Sequence, residues 1–422
     1  MNKLTRGEMH WILYDVGNSA FVMLLSTIIP IYFNHLAASA GIAPHDYLAY
    51  WGYAASLVTL LVVLTGPLLG ALSDMRNMKK RIFTMSVLMG IIACVCLGLP
   101  TTWIGFLLVF IIAKAGYSLS LIFYDSMLAD ITDTERMDRV SSAGYAWGYI
   151  GSCVPFVACL AIVLFYETIG ISFRLAMGIA FVIAALWWLV LALPLHKSYK
   201  QMHYVETDKQ LLLSSFRNIG RTLKDMAGNK YVLLFVIGFF FYIDGVYTII
   251  DMATAYGEAV GLDTTGLLLA LLVTQIVAFP FALLFGKLAH KYKTENLITI
   301  CIIAYFFIAV FAIFLDSQWK FWLLAVCVGM FQGGIQALSR SYFTKIIPAQ
   351  KSGEYFGILD ICGKGAAFVG TTLVSVISQV TGSASKGVSI ISLLILVGLI
   401  IFRLSVREYR RQQGRSQDLE VA

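Results

Sequence analysis

Residues 103–129 read WIGFLLVFIIAKAGYSLSLIFYDSMLA, and Lys114 and Asp125 are the only charged residues among them. A helix that crosses the hydrocarbon core of a bilayer needs about 20 mostly apolar residues, and this run is long enough. A membrane strand would instead show roughly ten residues of alternating apolar and polar character. The run therefore predicts one membrane-spanning helix.

Eleven further apolar runs are distributed along the 422 residues. Only helices and closed barrels satisfy the backbone within lipid, and these runs are too long and too uniform for barrel strands. The sequence therefore predicts an all-α polytopic membrane protein with twelve transmembrane helices. The predicted spans are 11–37, 47–72, 82–99, 103–129, 141–165, 172–195, 230–257, 264–289, 296–315, 319–345, 354–380 and 386–404.

The composition agrees with a membrane protein and argues against a soluble enzyme. Hydrophobic residues make up 59% of the chain and charged residues 13%, against roughly 45–50% and about 25% in soluble chains. The seven cysteines lie inside apolar runs, which indicates buried thiols and not a disulfide or metal framework. We expect no cofactor and no metal ion. The cysteines are Cys94, Cys96, Cys153, Cys159, Cys301, Cys327 and Cys362.

The net charge of +7 is mainly a signal of topology. Most lysines and arginines lie at the N-terminus, in alternate loops and after the last span, which the positive-inside rule assigns to the cytoplasm. We therefore expect both termini in the cytoplasm. The basic residues form no single patch, so we expect no nucleic-acid partner. The expected partners are the lipid bilayer, a small-molecule substrate and a coupling ion such as the proton, with the chain acting as a monomer.

A basic central segment divides the chain into two halves. The predicted domains are an N-terminal six-helix half at 1–195, a cytoplasmic linker at 196–229, a C-terminal six-helix half at 230–404 and a cytoplasmic tail at 405–422. Two six-helix halves of matching layout are typical of alternating-access carriers, whose binding site lies between the halves near the middle of the bilayer.

A short loop motif appears once in each half. The stretch GALSDMRNMKKR at 70–81 follows the second span, and a weaker copy, GKLAHKYK, begins at Gly286 after the eighth span. The first copy resembles the cytoplasmic loop signature of the major facilitator superfamily, with Gly70 and Asp74 at its characteristic positions. In the second copy His290 stands at the acidic position.

Four other segments carry a closer resemblance. They are WILYDVGNSAF at 11–21, SAGYAWGYIG at 142–151, QGGIQALSRS at 332–341 and EYFGILDICGK at 354–364. Together they are similar to the vacuole-effluxer-like branch of that superfamily, over essentially the whole chain. The resemblance implies the major facilitator fold and transport activity. A fungal member of the branch is implicated in releasing amino acids from the vacuole, which implies an amino acid as cargo and export as direction.

Eight charged residues lie within the predicted spans, where each costs at least about 2.5–3.5 kcal/mol on insertion scales. Such residues usually face a cavity or a partner. Six of the eight fall on spans one, four, seven and ten, the spans that line the central cavity in the superfamily fold. The eight are Asp15, Lys114, Asp125, Asp244, Asp251, Arg340, Asp360 and Lys364.

Polar side chains on these four spans are the candidate substrate-binding residues. Lys114 lies about 16 Å from the outer end of its helix, and an ammonium at that depth needs an anionic partner. A zwitterionic substrate needs both a buried cation for its carboxylate and a buried anion for its ammonium. The candidates are Lys114, Tyr117, Asp15, Asn18, Tyr247, Gln332 and Gln336.

Each candidate has a structural alternative. Lys114 could be neutralised permanently by an aspartate on another span. Asp15 could have a packing or capping role near the end of its helix. Gln332 and Gln336 could bridge helices without touching cargo.

Carboxylates on span seven are the first candidates for proton coupling. Asp244 and Asp251 lie about two turns apart on one stripe of the helix, and desolvation favours the protonated form of such groups. In the alternative interpretation, Asp244 is a permanent ion-pair partner of Lys114 or Lys364. The proton-coupling candidates are Asp244, Asp251, Asp125 and Asp15.

Further charged residues are candidates for interface or gating ion pairs. Asp360 and Lys364 stand one helical turn apart in the order that favours an ion pair, and a self-satisfied pair is the alternative for both. Arg340 in span ten, and Asp74 and Arg76 in the first loop motif, complete this group.

The sequence favours a secondary active transporter, not an enzyme, because it carries no catalytic constellation and no nucleotide-binding loop. We expect alternating access driven by protons, a small polar solute such as an amino acid as cargo, and a place in the bacterial plasma membrane. An amphiphile or drug-like cation is the alternative cargo, because 14% of the residues are aromatic. A non-transporting receptor or scaffold is the alternative of another class.

Overall fold

The computed structural model describes residues 3–206, 224–226, 228–259 and 261–421. Within these ranges the regular elements are helices, apart from one isolated β-bridge between Met75 and Val205. In chain order the helices are α1 (Arg6–Ser26), α2 (Ile28–Ser39), α3 (Pro44–Ser73), α4 (Lys79–Cys96), α5 (Trp103–Ser126), α6 (Leu128–Ile131), α7 (Met137–Leu164), α8 (Tyr166–Ile169), α9 (Phe173–Ser198), α10 (Lys230–Ala259), α11 (Thr264–Leu288), α12 (Thr294–Ala312), α13 (Gln318–Ile346), a 3₁₀ turn (Ala349–Lys351), α14 (Ser352–Thr381) and α15 (Ala384–Val421).

The long helices follow the predicted spans in order. Eleven stretches of the described chain are long and apolar enough to cross a membrane, with α1 and α2 counted as one. The predicted third span corresponds to α4, whose 18 residues begin with three basic residues, Lys79, Lys80 and Arg81. The first predicted span is divided at Thr27, which caps the end of α1 and the start of α2.

Local sequence signals explain where several helices begin. Thr5 and Glu8 form a reciprocal capping box at the start of α1, in which each side chain accepts the backbone N–H of the other residue. Thr102 and Ser172 accept N–H groups in the first turns of α5 and α9. Asp263 does the same for α11. These caps satisfy N–H groups that a helix start otherwise leaves without partners.

The structure extends helices into the predicted linker and into the predicted tail. From the predicted linker, α9 continues to Ser198 and a described segment follows to Glu206, while residues 207–223 and 227 lie outside the described residues. The last helix, α15, continues beyond its apolar part to Val421. Most residues of the predicted tail are therefore helical.

The chain divides into two compact units. Unit 1 comprises the described residues of Met1–Asp133, Trp147–Leu213 and Ala349–Gly357. Unit 2 comprises those of Thr134–Ala146, Ser214–Pro348 and Ile358–Ala422. The first turns of α14 thus belong to unit 1, and the first turns of α7 belong to unit 2.

Unit 1 has a core of aromatic side chains and close helix crossings. Trp11 of α1 stacks on Tyr124 of α5 with 4.3 Å between ring centroids and donates a 3.0 Å hydrogen bond to its carbonyl oxygen. Gly116 lets α5 approach α4, because a Cβ there would lie 2.5 Å from the backbone nitrogen of Gly90. These contacts fix the face of α5 that carries Lys114.

Candidate functional site

Lys114, Tyr117 and Asp125, the candidates of predicted span four, lie on α5 in unit 1. Lys114, Tyr117, Leu121 and Asp125 are all partly exposed, whereas most residues between them are buried. The Lys114 ammonium lies 5.8 Å from the centre of the Phe110 ring. This distance is within the range of a cation–π contact.

Residues of α1 lie beside this part of α5. The Tyr117 ring is 5.4 Å from that of Phe21, and the Tyr14 hydroxyl donates a 2.7 Å hydrogen bond to Ser120. Asp15 and Asn18, on the same helix, are buried. The structure therefore places the polar candidates of spans one and four on adjacent helices of one unit.

The Asn18 amide is used within its own helix, because its Nδ2 donates to the carbonyl oxygen of Tyr14 at 3.0 Å. Ser19 likewise donates to the carbonyl oxygen of Asp15. Such bonds hold polar side chains of a membrane helix against the backbone. One N–H of the Asn18 side chain is therefore occupied within α1.

Asp244 of α10 is the most deeply buried of the predicted carboxylates in unit 2, with no exposed surface. Its Oδ1 accepts hydrogen bonds from the backbone N–H of Gly370 at 3.0 Å and from the Thr248 hydroxyl at 3.3 Å. Its Oδ2 has no hydrogen-bond partner among the described residues. A Cβ at position 370 would overlap both Asp244 and Thr248, so glycine is required for this approach.

The other polar residues of α10 have different surroundings. Tyr247 is partly exposed and Asp251 is exposed. The two aspartates of the predicted stripe thus differ: one is enclosed between α10 and α14, and the other lies at the surface of the unit.

Two predicted glutamines have different positions on α13. Gln332 is buried and lines a small cavity of about 50 Å³ within unit 2, together with Gln275 and Thr274 of α11. Gln336 is partly exposed, one turn further along the helix. The remaining walls of the cavity are mainly apolar, so its polar groups are few.

Asp360 and Lys364 form the predicted ion pair on α14. The Lys364 ammonium lies 2.6 Å from one carboxylate oxygen of Asp360 and 2.5 Å from the other. Both side chains are partly buried. The two charges therefore satisfy one another within a single turn of helix.

The loop motif after α3 builds a charged cluster in unit 1, here called the Asp74 cluster: Asp74, Lys79, Asp130, Ser352 and Gly353. Asp74 accepts the N–H groups of Gly353 at 2.8 Å and of Glu354 at 2.9 Å, at the start of α14. The Lys79 ammonium lies 3.3 Å from Asp74 and donates to Ser352 at 2.8 Å. Lys79 has no exposed surface.

This arrangement places a negative charge where the dipole of α14 is positive. Burial raises the pKa of the Asp74 carboxyl, whereas the Lys79 ammonium and the two backbone N–H donors oppose that rise. Gly70 makes the approach possible, because a Cβ there would overlap the carbonyl oxygen of Gly353.

The segment after α9 lies against the Asp74 cluster. Asp130 accepts hydrogen bonds from the Tyr199 hydroxyl at 2.5 Å and from the backbone N–H of His203 at 2.8 Å. The N–H of Val205 donates to the carbonyl oxygen of Asp74. Burial and the Asp130 carboxylate raise the pKa of Tyr199, so its phenol retains the proton that it donates.

Arg76, the second charged residue predicted in this motif, lies at the surface. Its guanidinium is 3.9 Å from Glu206 and 5.3 Å from the centre of the Tyr204 ring. Both partners of the ion pair are largely exposed. The buried charge in the motif is thus Asp74, and Arg76 contacts the segment that follows α9.

Unit 2 contains a second buried cluster, here called the Asp138 cluster: Asp138, Thr294, Ser341 and Lys345. Asp138, at the start of α7, accepts from Thr294 and Ser341 at 2.6 Å each and from Lys345 at 2.5 Å. Nearby, the Arg340 guanidinium donates to the hydroxyl and the carbonyl oxygen of Ser141. It also lies 4.4 Å from the centre of the Tyr145 ring.

Sequence reasoning missed Asp130, Tyr199, His203 and Asp138. These residues lie outside the apolar runs, where the search for intramembrane charges did not extend. A usable signal was present, because Asp130 and Asp138 are acidic residues next to span ends in a loop that the positive-inside rule expects to be basic.

A model of the family described as "Vacuole effluxer Atg22 like" matches residues 44–415. This chain belongs to that family. It is 36% identical over 423 aligned residues to the uncharacterized MFS-type transporter YxiO of Bacillus subtilis, covering 99% of both chains. It is 20% identical to autophagy-related protein 22 of Botryotinia fuckeliana over 63% of this chain and 50% of the fungal protein.

Solved structures support the fold. The human organic anion transporter MFSD10 superposes with a TM-score of 0.69 at 13% identity, covering 94% of this chain and 99% of that one. The transporter FucP, in its outward conformation, gives 0.72 at 12% identity, covering 95% and 97%. The predicted membership of the vacuole-effluxer branch and the predicted major facilitator fold are therefore confirmed. These relatives are transporters, which also confirms that the chain is not an enzyme.

Proposed function

We propose that this protein is a secondary active transporter that works by alternating access, couples transport to protons and carries a small polar solute such as an amino acid. Its family and fold support transport in general. We place it in the plasma membrane of a bacterium as a monomer with both termini in the cytoplasm. The family description, vacuole effluxer, supports export as the direction.

The buried carboxylate of Asp244 is the observation that carries the proton-coupling proposal. A carboxylate without exposed surface and with one oxygen lacking a hydrogen-bond donor is costly to keep ionised. Protonation removes the charge and supplies a donor on Oδ2. Movement of α14, which carries Gly370, away from α10 would remove one donor from Oδ1, so the cost of ionisation depends on the conformation of the unit.

The charges of unit 1 support a zwitterionic cargo. Lys114 provides a cation at mid-helix depth beside an aromatic ring, and Asp15 provides a buried carboxylate on the adjacent helix. In this proposal, the cargo carboxylate pairs with Lys114 and its ammonium pairs with an aspartate. In unit 2, Gln332 and Gln336 are proposed separately as residues that hydrogen-bond a polar cargo.

The Asp74 cluster holds the start of α14 by two hydrogen bonds. Their breakage would leave N–H groups at a helix start without these acceptors. We assign their breakage to the change of access. Asp360, Lys364 and Arg340 are assigned to supporting ion pairs during the same change.

A second cargo class is supported by the aromatic surroundings of Lys114. Tyr117 packs against Phe21 and lies 6.0 Å from the Trp188 ring, and such surfaces bind amphiphiles or drug-like cations. A thermal-shift screen of the purified protein separates the two classes. Amino acids should raise the melting temperature, whereas stabilisation by hydrophobic cations alone would favour the second class.

Reconstitution tests the proposal directly. Proteoliposomes with an imposed pH gradient should accumulate labelled amino acids against their own gradient, and a protonophore should abolish the accumulation. Accumulation that persists with the protonophore and requires sodium would replace the proton by another coupling ion. No movement of any amino acid in either direction would contradict the proposed cargo.

A further inference from the structure

A cleft of about 540 Å³ lies at the polar ends of α1 and α9 in unit 1. Its basic wall contains Arg6, His10 and Lys197, and its apolar wall contains Val190, Leu193 and Pro194. None of these residues belongs to the transport site proposed above. A cleft with cations at one end and apolar side chains at the other matches an amphiphilic ligand with a negative head.

The two helices are fixed to each other at the mouth of the cleft. The His10 Nδ1 and the Ser198 hydroxyl are 2.7 Å apart, which joins the first turns of α1 to the last turn of α9. Arg6 and Lys197 are both exposed, so their charged ends can reach a ligand in the cleft. Arg6 and Lys197 therefore lie at the mouth of the cleft.

The nearest acidic residue of α1 is occupied elsewhere. Glu8 is buried, and its two oxygens accept hydrogen bonds from the backbone of Thr5 and from the Thr132 hydroxyl at 2.7 Å each. Glu8 does not line the cleft. The lining of the cleft is positive and fits an anion.

An apolar track continues from the cleft along the outer face of α9. Leu193, Val190, Leu186 and Val182 are between 37% and 58% exposed and follow one another at helical spacing of three to four residues. From Leu193 to Val182 the track is about 16 Å long, close to half the hydrocarbon thickness of a bilayer. One acyl chain fits along it.

We propose that this cleft binds an anionic glycerophospholipid, with its phosphate between Arg6 and Lys197 and one acyl chain on the track of α9. Cations at the level of the lipid headgroups attract anionic lipid. The cleft adds a fixed position, because the ligand is held both by two charges and by an apolar wall. Bound lipid would join α1 to α9 at the end where His10 meets Ser198.

Native mass spectrometry of the full-length protein tests this site without any transport assay. Phosphatidylglycerol should bind at least tenfold more tightly than phosphatidylcholine with the same acyl chains. The double variant Arg6→Gln/Lys197→Gln should lose roughly an order of magnitude in affinity. The matched variant Lys291→Gln/Lys293→Gln also removes two exposed cations and should bind as the unmodified protein does.

A second pair of variants tests the cleft and not only its charge. Val190→Trp fills the apolar wall and should lose the bound lipid, whereas Leu108→Trp, on the exposed face of α5, should retain it. Equal binding of the two lipids, equal losses in the two double variants, or retained binding in Val190→Trp would each overturn the proposal. Inorganic phosphate that displaces the lipid at millimolar concentration would show a site for free anions instead.

Discussion

The two copies of the loop motif make different polar contacts. In unit 1, Asp74 accepts two N–H groups at the start of α14, and Lys79 is buried beside it. In unit 2, the equivalent loop brings Gly286 against Ser142 at the start of α7, with 2.8 Å between an added Cβ and the serine Cβ. The loop residue that replaces the aspartate, His290, is exposed.

The difference shows which part of the motif each copy retains. In both copies a glycine lets the helix that precedes the loop come close to the start of another helix: α3 approaches α14, and α11 approaches α7. Only the first copy keeps the carboxylate on the loop. In unit 2 the buried carboxylate next to this loop is Asp138, which lies on α7 itself, accepts from Thr294 at the end of the loop and pairs with Lys345 of α13. The close approach of two helices at a glycine is thus common to both units. The position of the buried carboxylate differs between them.

Replacement of the buried carboxylate of the first copy should have the largest effect. Asp74→Ala leaves the Lys79 ammonium buried with fewer partners, and removal of one member of a buried pair typically costs about 3–5 kcal/mol. Thermal unfolding in detergent should show a large fall in melting temperature. The double variant Asp74→Ala/Lys79→Met should recover part of it.

The position-matched variant of the second copy is His290→Ala, and it should leave the melting temperature nearly unchanged. If the two single variants had equal effects, the contrast between the two copies would be wrong.

Loss of the Asp138 carboxylate in unit 2 should have the next largest effect. Asp138→Ala removes the acceptor of three hydrogen bonds, but Lys345 is partly exposed and can be solvated. We expect a loss of about 1.5–3 kcal/mol, the range for hydrogen bonds to charged groups. The same unfolding assay measures it, and an effect larger than that of Asp74→Ala would reverse the assignment of the more deeply buried charge.

The glycines test the feature that both copies share. Gly70→Ala places a methyl group against the backbone of Gly353, which cannot move aside, and should cost about 1–3 kcal/mol. Gly286→Ala meets mainly the Ser142 side chain and should cost less. Cysteine cross-linking between α3 and the start of α14 should slow in Gly70→Ala. An unchanged cross-linking rate would show that the close approach is not required.

The smallest effect is expected for Arg76→Gln. The pair with Glu206 is exposed, and exposed ion pairs contribute roughly 0.2–1 kcal/mol, decreasing with salt. The melting temperature should change little at low salt and not at all at high salt. A large change in melting temperature would mean that the contact of Arg76 with the segment after α9 stabilises the protein by more than an exposed ion pair does.

The sequence contained most of the fold and part of the candidate site. The number, order and approximate limits of the spans follow from apolar runs, because lipid requires long helices. Span four, with Lys114, and the pair of Asp360 and Lys364 follow from spacing along a single helix. Such features depend only on local periodicity.

Contacts between distant segments could not be predicted in the same way. The bonds from Asp74 to Gly353 and from Asp130 to His203 join residues far apart in the chain. The glycine at position 370 looks like any small residue in an apolar span, and its role appears only when Asp244 is seen against it. Such pairs depend on how distant segments pack against each other and leave no periodic pattern along the chain.

Transport assays of Asp244 variants decide whether this carboxylate carries the coupled proton, as we propose. Proteoliposomes containing Asp244→Asn should lose accumulation driven by a pH gradient, yet retain exchange of labelled for unlabelled cargo, which needs no net proton movement. The control Asp316→Asn, at an exposed carboxylate, should retain both activities. Gradient-driven accumulation that survives in Asp244→Asn would contradict the claim, and loss of both activities would instead make Asp244 a structural partner.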